Sequence, residues 1–252
     1  MAPSYRSPGL YDSSYEHDAC GVALVADLHG RRDHTVVRHG LTALRRLDHR
    51  GARGAEPNTG DGAGIMLQIP DAYLREVAGV ELPPPGEYAT GLVFLPARAD
   101  DAAHAVRVFE KYAAAEGARI LGWRDVPTNP AGLGDTALAT QPRIRQVFVA
   151  SELSPEDSAA QGGADPPGQA GLALERLMWC IRKQTERETR QRGVPAYFPS
   201  LSSRTIVYKG MLTPGQLATY YPDLTDPRVG SAIALVHALF STNTFPSWPL
   251  AH

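Results

Sequence analysis

Blocks of apolar and polar positions along the chain predict its elements. Val22 to Leu28 is a short apolar run closed by His29-Gly30, which predicts a strand and a turn. Val36, Val37, Leu41, Leu44 and Leu47 then recur at helical spacing, with Arg38, Arg45 and Arg46 on the other side, until Gly51 interrupts the pattern. The glycine-rich stretch Thr59-Gly60-Asp61-Gly62-Ala63-Gly64 leads into an apolar strand, Ile65 to Ile69, stopped by Pro70. Tyr88 to Leu95 reads as a strand, and Asp101 to Glu116 as a helix capped by Asp100 or Asp101. Arg119 to Trp123 and Arg145 to Ala150 read as strands separated by a Pro/Gly-rich connection.

Ser151 to Gly171 is Ser, Ala, Gly, Pro and acidic, too polar to pack, and predicts a mobile surface insertion. From Leu172 to about Arg192 a helix shows the stripe Leu174, Leu177, Met178 and Ile181, with later turns that are almost wholly charged. Strand signals return at Thr205 to Tyr208 and Ala232 to Val236, and a short helix is expected to begin near Pro214. Strands and helices are mixed without regular βαβ alternation and without an internal repeat, so an α+β layered fold is favoured over a doubly wound parallel sheet.

With 252 residues the chain can bury one substantial core. Its 43% hydrophobic and 21% charged content is that of a globular protein, and no apolar run approaches the roughly 20 residues a membrane span requires. A formal net charge of −2, with arginines scattered along the sequence, argues against a nucleic-acid partner. Residues 1–19 hold no apolar stretch between a basic start and a cleavage site, so they are not a secretory signal, and the cytoplasm is the default. The only cysteines, Cys20 and Cys180, lack C-x-x-C spacing, and a bridge between them stays open. No two of the eight histidines have H-x-x-x-H spacing, which argues against a metal site.

Cys20 precedes a strand and is followed by Gly21, which lets another chain or a ligand approach the backbone. A free cysteine at such a place is more often a small buried hydrophobe, and its company changes that reading. Glu16-His17-Asp18-Ala19-Cys20-Gly21-Val22, His49-Arg50-Gly51-Ala52, Thr59 to Ile65, and Phe240-Ser241-Thr242-Asn243-Thr244-Phe245-Pro246-Ser247-Trp248 together resemble the class II glutamine amidotransferase domain of glutamate synthases. Ser200 to Leu212 narrows the likeness to those synthases, and it runs from about Tyr11 to His252.

The resemblance implies a four-layer αββα N-terminal nucleophile hydrolase fold, incomplete at its C-terminal end. Residues 1–19 would be a leader and residues 20–252 the N-terminal part of the amidotransferase domain. It implies Cys20 as the nucleophile, using its own α-amino group as base after removal of the leader. Arg50, Asp61, Gly62, Phe240, Ser241 and Thr242 would then surround glutamine, Arg50 bracing the loop around the nucleophile and Asp61 with the adjacent glycines forming the pocket floor. No cofactor is implied for this chain, whereas FMN and an iron–sulfur cluster belong to further synthase domains, partnered by an FAD/NADPH-binding small subunit. The chain departs from the family at Leu239, where an arginine grips the α-carboxylate of glutamine, and it ends before the family's H-N-G-E-I oxyanion segment. A catalytically inactive remnant is therefore the alternative reading. An asparagine synthetase relationship is disfavoured by Ser200 to Leu212.

Overall fold

The computed structural model describes residues 20–52, 56–152, 171–241 and 245–251. The expected leader, Thr242 and residues 153–170 of the expected insertion lie outside these.

Two antiparallel sheets organise the chain. The first contains β1 (Gly21–Ala26), β2 (Ala63–Gln68), β6 (Thr205–Gly210) and β7 (Ile233–Ala238), in the order β1-β7-β2-β6. The second contains β3 (Tyr88–Leu95), β4 (Ala118–Asp125) and β5 (Arg143–Ser151), in the order β3-β5-β4. Helix α1 (His34–Arg46) packs on β1, β7 and β2, burying Val36, Val37, Leu41 and Leu44. Helices α3 (Ala99–Ala115) and α5 (Leu172–Gln191) pack together over the second sheet. Shorter helices are α2 (Asp71–Val77), α4 (Asp135–Ala139) and α6 (Leu217–Tyr220), with 3₁₀ turns at Asp48–Arg50 and Pro222–Thr225. This is the α+β class the sequence predicts.

Period-two alternation places β3 between two cores. Tyr88, Leu92 and Phe94 join the core shared with the first sheet, while Ala89, Val93 and Leu95 join the core under α3 and α5. At Gly91 the segment around Ser200 comes so close that a Cβ would sit 1.9 Å from the Ser200 carbonyl oxygen. The edge of β3 is closed there by reciprocal backbone bonds of Thr90 with Ser202 and of Phe94 with Tyr197.

A buried polar network links the sheets. Asp223, 1% exposed, accepts from Tyr73 Oη at 2.6 Å, Tyr208 Oη at 3.0 Å and Arg124 Nη2 at 2.6 Å. Arg124 also donates to Gln146 Oε1 at 2.9 Å, and Gln146 Nε2 donates to Thr90 Oγ1 at 3.0 Å. Each carboxylate oxygen and guanidinium arm has a partner, so the network fixes which faces meet more than it adds net stability. Burial beside the Asp223 charge pushes the Tyr208 hydroxyl well above its ordinary value.

Several boundaries differ from expectation. Helix α3 begins at Ala99 with Arg98 at the cap position; Asp101 lies in the first turn, 3.4 Å from Arg98 Nε, and neither Asp100 nor Asp101 caps it. Pro214 opens a turn, and α6 starts only at Leu217, because Gln216 holds the turn through Thr213 N–H. The late turns of α5 are not merely charged: Thr185, Glu186 and Thr189 are buried. The two threonines return their hydroxyl protons to carbonyls one turn back, and Glu186 accepts from Arg182, Lys183 and the Phe198 N–H.

Candidate active site

Gly21, Ala238, Ala63 and Gly210 are direct cross-strand partners, so all four strands of the first sheet reach one edge in register. Whatever precedes β1 and β2, or follows β7 and β6, emerges together there. Cys20 precedes β1, Asp61 and Gly62 precede β2, and Leu239, Phe240 and Ser241 follow β7. Antiparallel pairing thus gathers segments more than 200 residues apart in sequence.

Backbone hydrogen bonds fasten these segments. Leu239 N–H donates to Gly62 O at 2.9 Å, Ala52 N–H to Leu239 O at 3.1 Å, and Asp61 N–H to Ala52 O at 3.1 Å. The Asp61 carboxylate is 4% exposed and accepts from Ser241 N–H at 2.7 Å, a charge-assisted bond that fixes the path of the chain after β7. Cys20 Sγ lies 3.4 Å from Phe240 N and 3.8 Å from Phe240 O. A thiolate in this place would accept the Phe240 N–H.

The turn after α1 closes the other side. A Cβ on Gly21 would stand 3.0 Å from the Cβ atoms of both Arg50 and Leu47, so only glycine lets β1 run against this turn without displacing it. Arg50 N–H donates to Leu47 O at 2.8 Å, closing the 3₁₀ turn, and Arg50 borders the site through its backbone and Cβ.

The structure therefore brings together Cys20, Asp61, Gly62, Phe240 and Ser241, with Arg50 at the margin; Thr242 lies outside the described residues. Sequence reasoning missed Ala52, whose two backbone groups join the β2 and β7 loops, and Glu56. Glu56 accepts from Thr59 Oγ1 at 3.0 Å and from Thr136 Oγ1 at 2.5 Å, holding the glycine-rich loop to the start of α4. Those bonds, Thr136 first, keep its carboxyl below the ordinary range. Ala52 stood in the His49 to Ala52 motif without a role of its own, and nothing in the local pattern marks Glu56, because both act through distant partners.

Among the described residues no cluster of three or more His, Cys, Asp or Glu could hold a metal ion, and no helix is long and apolar enough to cross a membrane. Two surface grooves, of about 430 and 510 Å³, lie away from Cys20.

Residues 20–252 match the glutamine amidotransferases class-II family. The chain belongs to that family. It is 43% identical over 248 residues to the glutamate synthase (NADPH) large chain of Bacillus subtilis (strain 168), covering 98% of this chain and 16% of that relative. Identity is 39% over 256 residues to the glutamate synthase (NADH) of Saccharomyces cerevisiae, covering 96% of this chain and 11% of the relative. It is 38% over 258 residues to ferredoxin-dependent glutamate synthase 1 of Arabidopsis thaliana, covering 99% and 15%. The amidotransferase chain thus spans about a sixth of the length of its bacterial relative, and less of the other two.

Proposed function

We propose that this chain supplies the glutamine-hydrolysing half-reaction of a glutamate synthase, with Cys20 as nucleophile. The observation that carries the reading is the position of Cys20 Sγ at the sheet edge where the Asp61–Ser241 bond and the β7 loop converge. The family match also begins at residue 20.

Removal of residues 1–19 would free the Cys20 α-amino group, which ordinarily titrates near 7.7–8.0 and so is partly unprotonated near neutrality. It takes the thiol proton as the sulfur attacks the side-chain amide carbon of glutamine, and returns it to the departing nitrogen as ammonia leaves. Water then adds to the γ-glutamyl thioester, the carbon–sulfur bond breaks, and glutamate and the thiol are regenerated. An acylated α-nitrogen is an amide and could not act as this base.

Joining ammonia to 2-oxoglutarate, with FMN, an iron–sulfur cluster and an FAD/NADPH-binding small subunit, would fall to other parts of a synthase. An iron–sulfur cluster does not fit the residues here, since the chain has two cysteines, one of them the proposed nucleophile. Leu239 favours a second reading, a chain of this family that no longer binds glutamine.

A glutamine analogue carrying a diazoketone in place of the amide separates the two. Mass spectrometry should show one covalent adduct, on Cys20, lost in Cys20→Ala and retained in Cys180→Ala, with an intact mass that starts at Cys20. An adduct on Cys180, or none, would favour the inactive reading. Glutaminase activity in a chain retaining residues 1–19 would rule out the α-amino group as base.

A further inference from the structure

The two surface grooves are both rich in cations but differ in what balances them. In the groove between α3 and α5, Lys111 and Arg192 both pair with Glu188, at 2.6 and 3.1 Å, and the Tyr112 hydroxyl donates to the same carboxylate. That positive charge is already spent on an internal partner. The groove between α1 and residues 218–225, of about 510 Å³, is lined by His34, Arg38, His39 and Arg45 and, among the described residues, by no carboxylate.

Helix α1 as a whole contains no acidic residue. His34 and Arg38 fall on successive turns of one face, and Arg45 lies on the same face two turns beyond Arg38. Among the described residues, neither arginine makes an ion pair: Arg45 donates to Thr42 Oγ1 at 3.1 Å, and Arg38 comes only close enough to Asp33 to help lower its pKa. The nearby carboxylates are otherwise engaged, Asp33 accepting from Thr35 N–H as the α1 cap and Asp226 bonded to Arg228. His34 donates from Nδ1 to Val229 O at 2.9 Å, which anchors the ring at the groove wall. Of the groove's other side, Ala218 is half-buried and Leu224 wholly buried, so apolar contact there is small.

We infer that this groove is a binding site for an organic polyphosphate, with the phosphates along the cationic face of α1. The two guanidinium forks start about 10 Å apart along the helix, a span their flexible arms can close on the two ends of a polyphosphate, and each fork meets two oxygens at once. The volume lies within the range of small-ligand sites. The arginines that looked scattered in the sequence converge here because the helical period puts them on one side.

Isothermal titration of the 252-residue chain with ATP tests the assignment, with adenosine as the phosphate-free probe. Saturable binding of one ATP per chain is expected, weakened at least tenfold by Arg38→Gln and further in the Arg38→Gln/Arg45→Gln pair, with adenosine not binding. Both side chains are exposed, so the melting temperatures of the variants should stay at the parent value. Arg187→Gln, in the other groove, should leave the affinity unchanged. No saturable binding, equal affinity in the paired variant, loss through Arg187→Gln, or adenosine binding as tightly as ATP would each overturn it.

Discussion

The two sheets have divided the labour of the fold. Every residue of β3 is buried, and its two faces feed two hydrophobic cores. The first sheet is covered on one face by α1, whereas Val22 and Leu24 on β1 are 60% and 63% exposed, and its edge is held by loops and isolated hydrogen bonds. A close-packed layer resists any change of volume. A loop edge can carry a half-buried thiol and a buried carboxylate because few side chains must interlock around them. The comparison predicts that damage to the second sheet appears as lost stability, and damage to the first sheet's edge as lost reactivity in a folded chain.

The largest effect should come from Gly91→Ala. The added methyl would meet the Ser200 carbonyl oxygen at 1.9 Å; that oxygen is backbone and the methyl is fixed to Cα, so neither can rotate away. The clash falls where the Thr90–Ser202 bonds close the edge of β3, and it should cost more than about 4 kcal/mol, in the exceptional class for single substitutions. Circular dichroism melting should show a chain largely unfolded at 37 °C; a melting temperature within a few degrees of the parent would mean the second sheet is not the rigid layer described.

Asp61→Asn tests the other side of the comparison. It retains an acceptor for Ser241 N–H but removes the charge, and hydrogen bonds to charged groups are worth about 1.5–3 kcal/mol. Burying a neutral amide also costs less than burying a carboxylate, so stability should hardly change. The rate of Cys20 labelling by the diazoketone should fall about tenfold to a hundredfold with the melt unaltered. A parallel collapse of the melt would show that Asp61 supports the fold and not only the edge.

The same division governs what the sequence could reveal. Tyr88–Leu95 and Leu172–Gln191 were legible almost to the residue, because continuous burial or a clear apolar stripe writes itself into the pattern. The seven-residue α2 behind Pro70 and the five-residue α4 inside a Pro/Gly-rich connection were not, since each depends on tertiary partners more than on its own periodicity. Cys20, Asp61 and Ser241 were legible through motif resemblance, yet no motif states that Ala52 joins two of their loops or that Glu56 ties a third. Buried Glu186 and Thr189 stood in turns that read only as charged, because the groups that satisfy them lie on another turn or another segment.

Lys209 lies between the two regimes. Its amine is buried, donates to Tyr197 Oη and Pro249 O at 2.9 Å each, and thereby ties β6 to the segment that follows the β7 loop. Burial first, and the Arg182 charge second, bring it down to about 8. The folded value is below the unfolded one, so between about pH 8 and 10 the unfolded chain keeps a proton the folded chain has released, and stability rises with pH by about 2 kcal/mol. Above about 10 the trend reverses, because Tyr73, Tyr88 and Tyr208 are all held protonated in the fold. Urea midpoints at pH 7, 8.5 and 10 should rise in the parent and stay flatter in Lys209→Met. Parallel profiles would mean that the amine reaches water.

The smallest effect concerns Leu239, whose backbone is bonded on both sides, to Gly62 and Ala52, while its side chain is half-buried beside the Cys20 edge. The backbone bonds do not depend on the side chain, so an arginine can be placed there without disturbing the loop. In the resembled family an arginine at this position holds the α-carboxylate of glutamine. Leucine offers no donor, and even one charge-assisted bond is worth about 1.5 kcal/mol, close to tenfold in affinity. The α-carboxylate is remote from the reacting carbon and is held alike before and during attack, so the gain belongs to binding and not to the chemical step. Leu239→Arg should lower the diazoketone concentration that gives half-maximal labelling of Cys20 about tenfold, with the limiting rate unchanged. An unchanged half-saturation would mean that position 239 does not face the carboxylate. A changed limiting rate would mean that the arginine reaches the reacting centre, and the open edge would then be more tightly coupled than its sparse bonds imply.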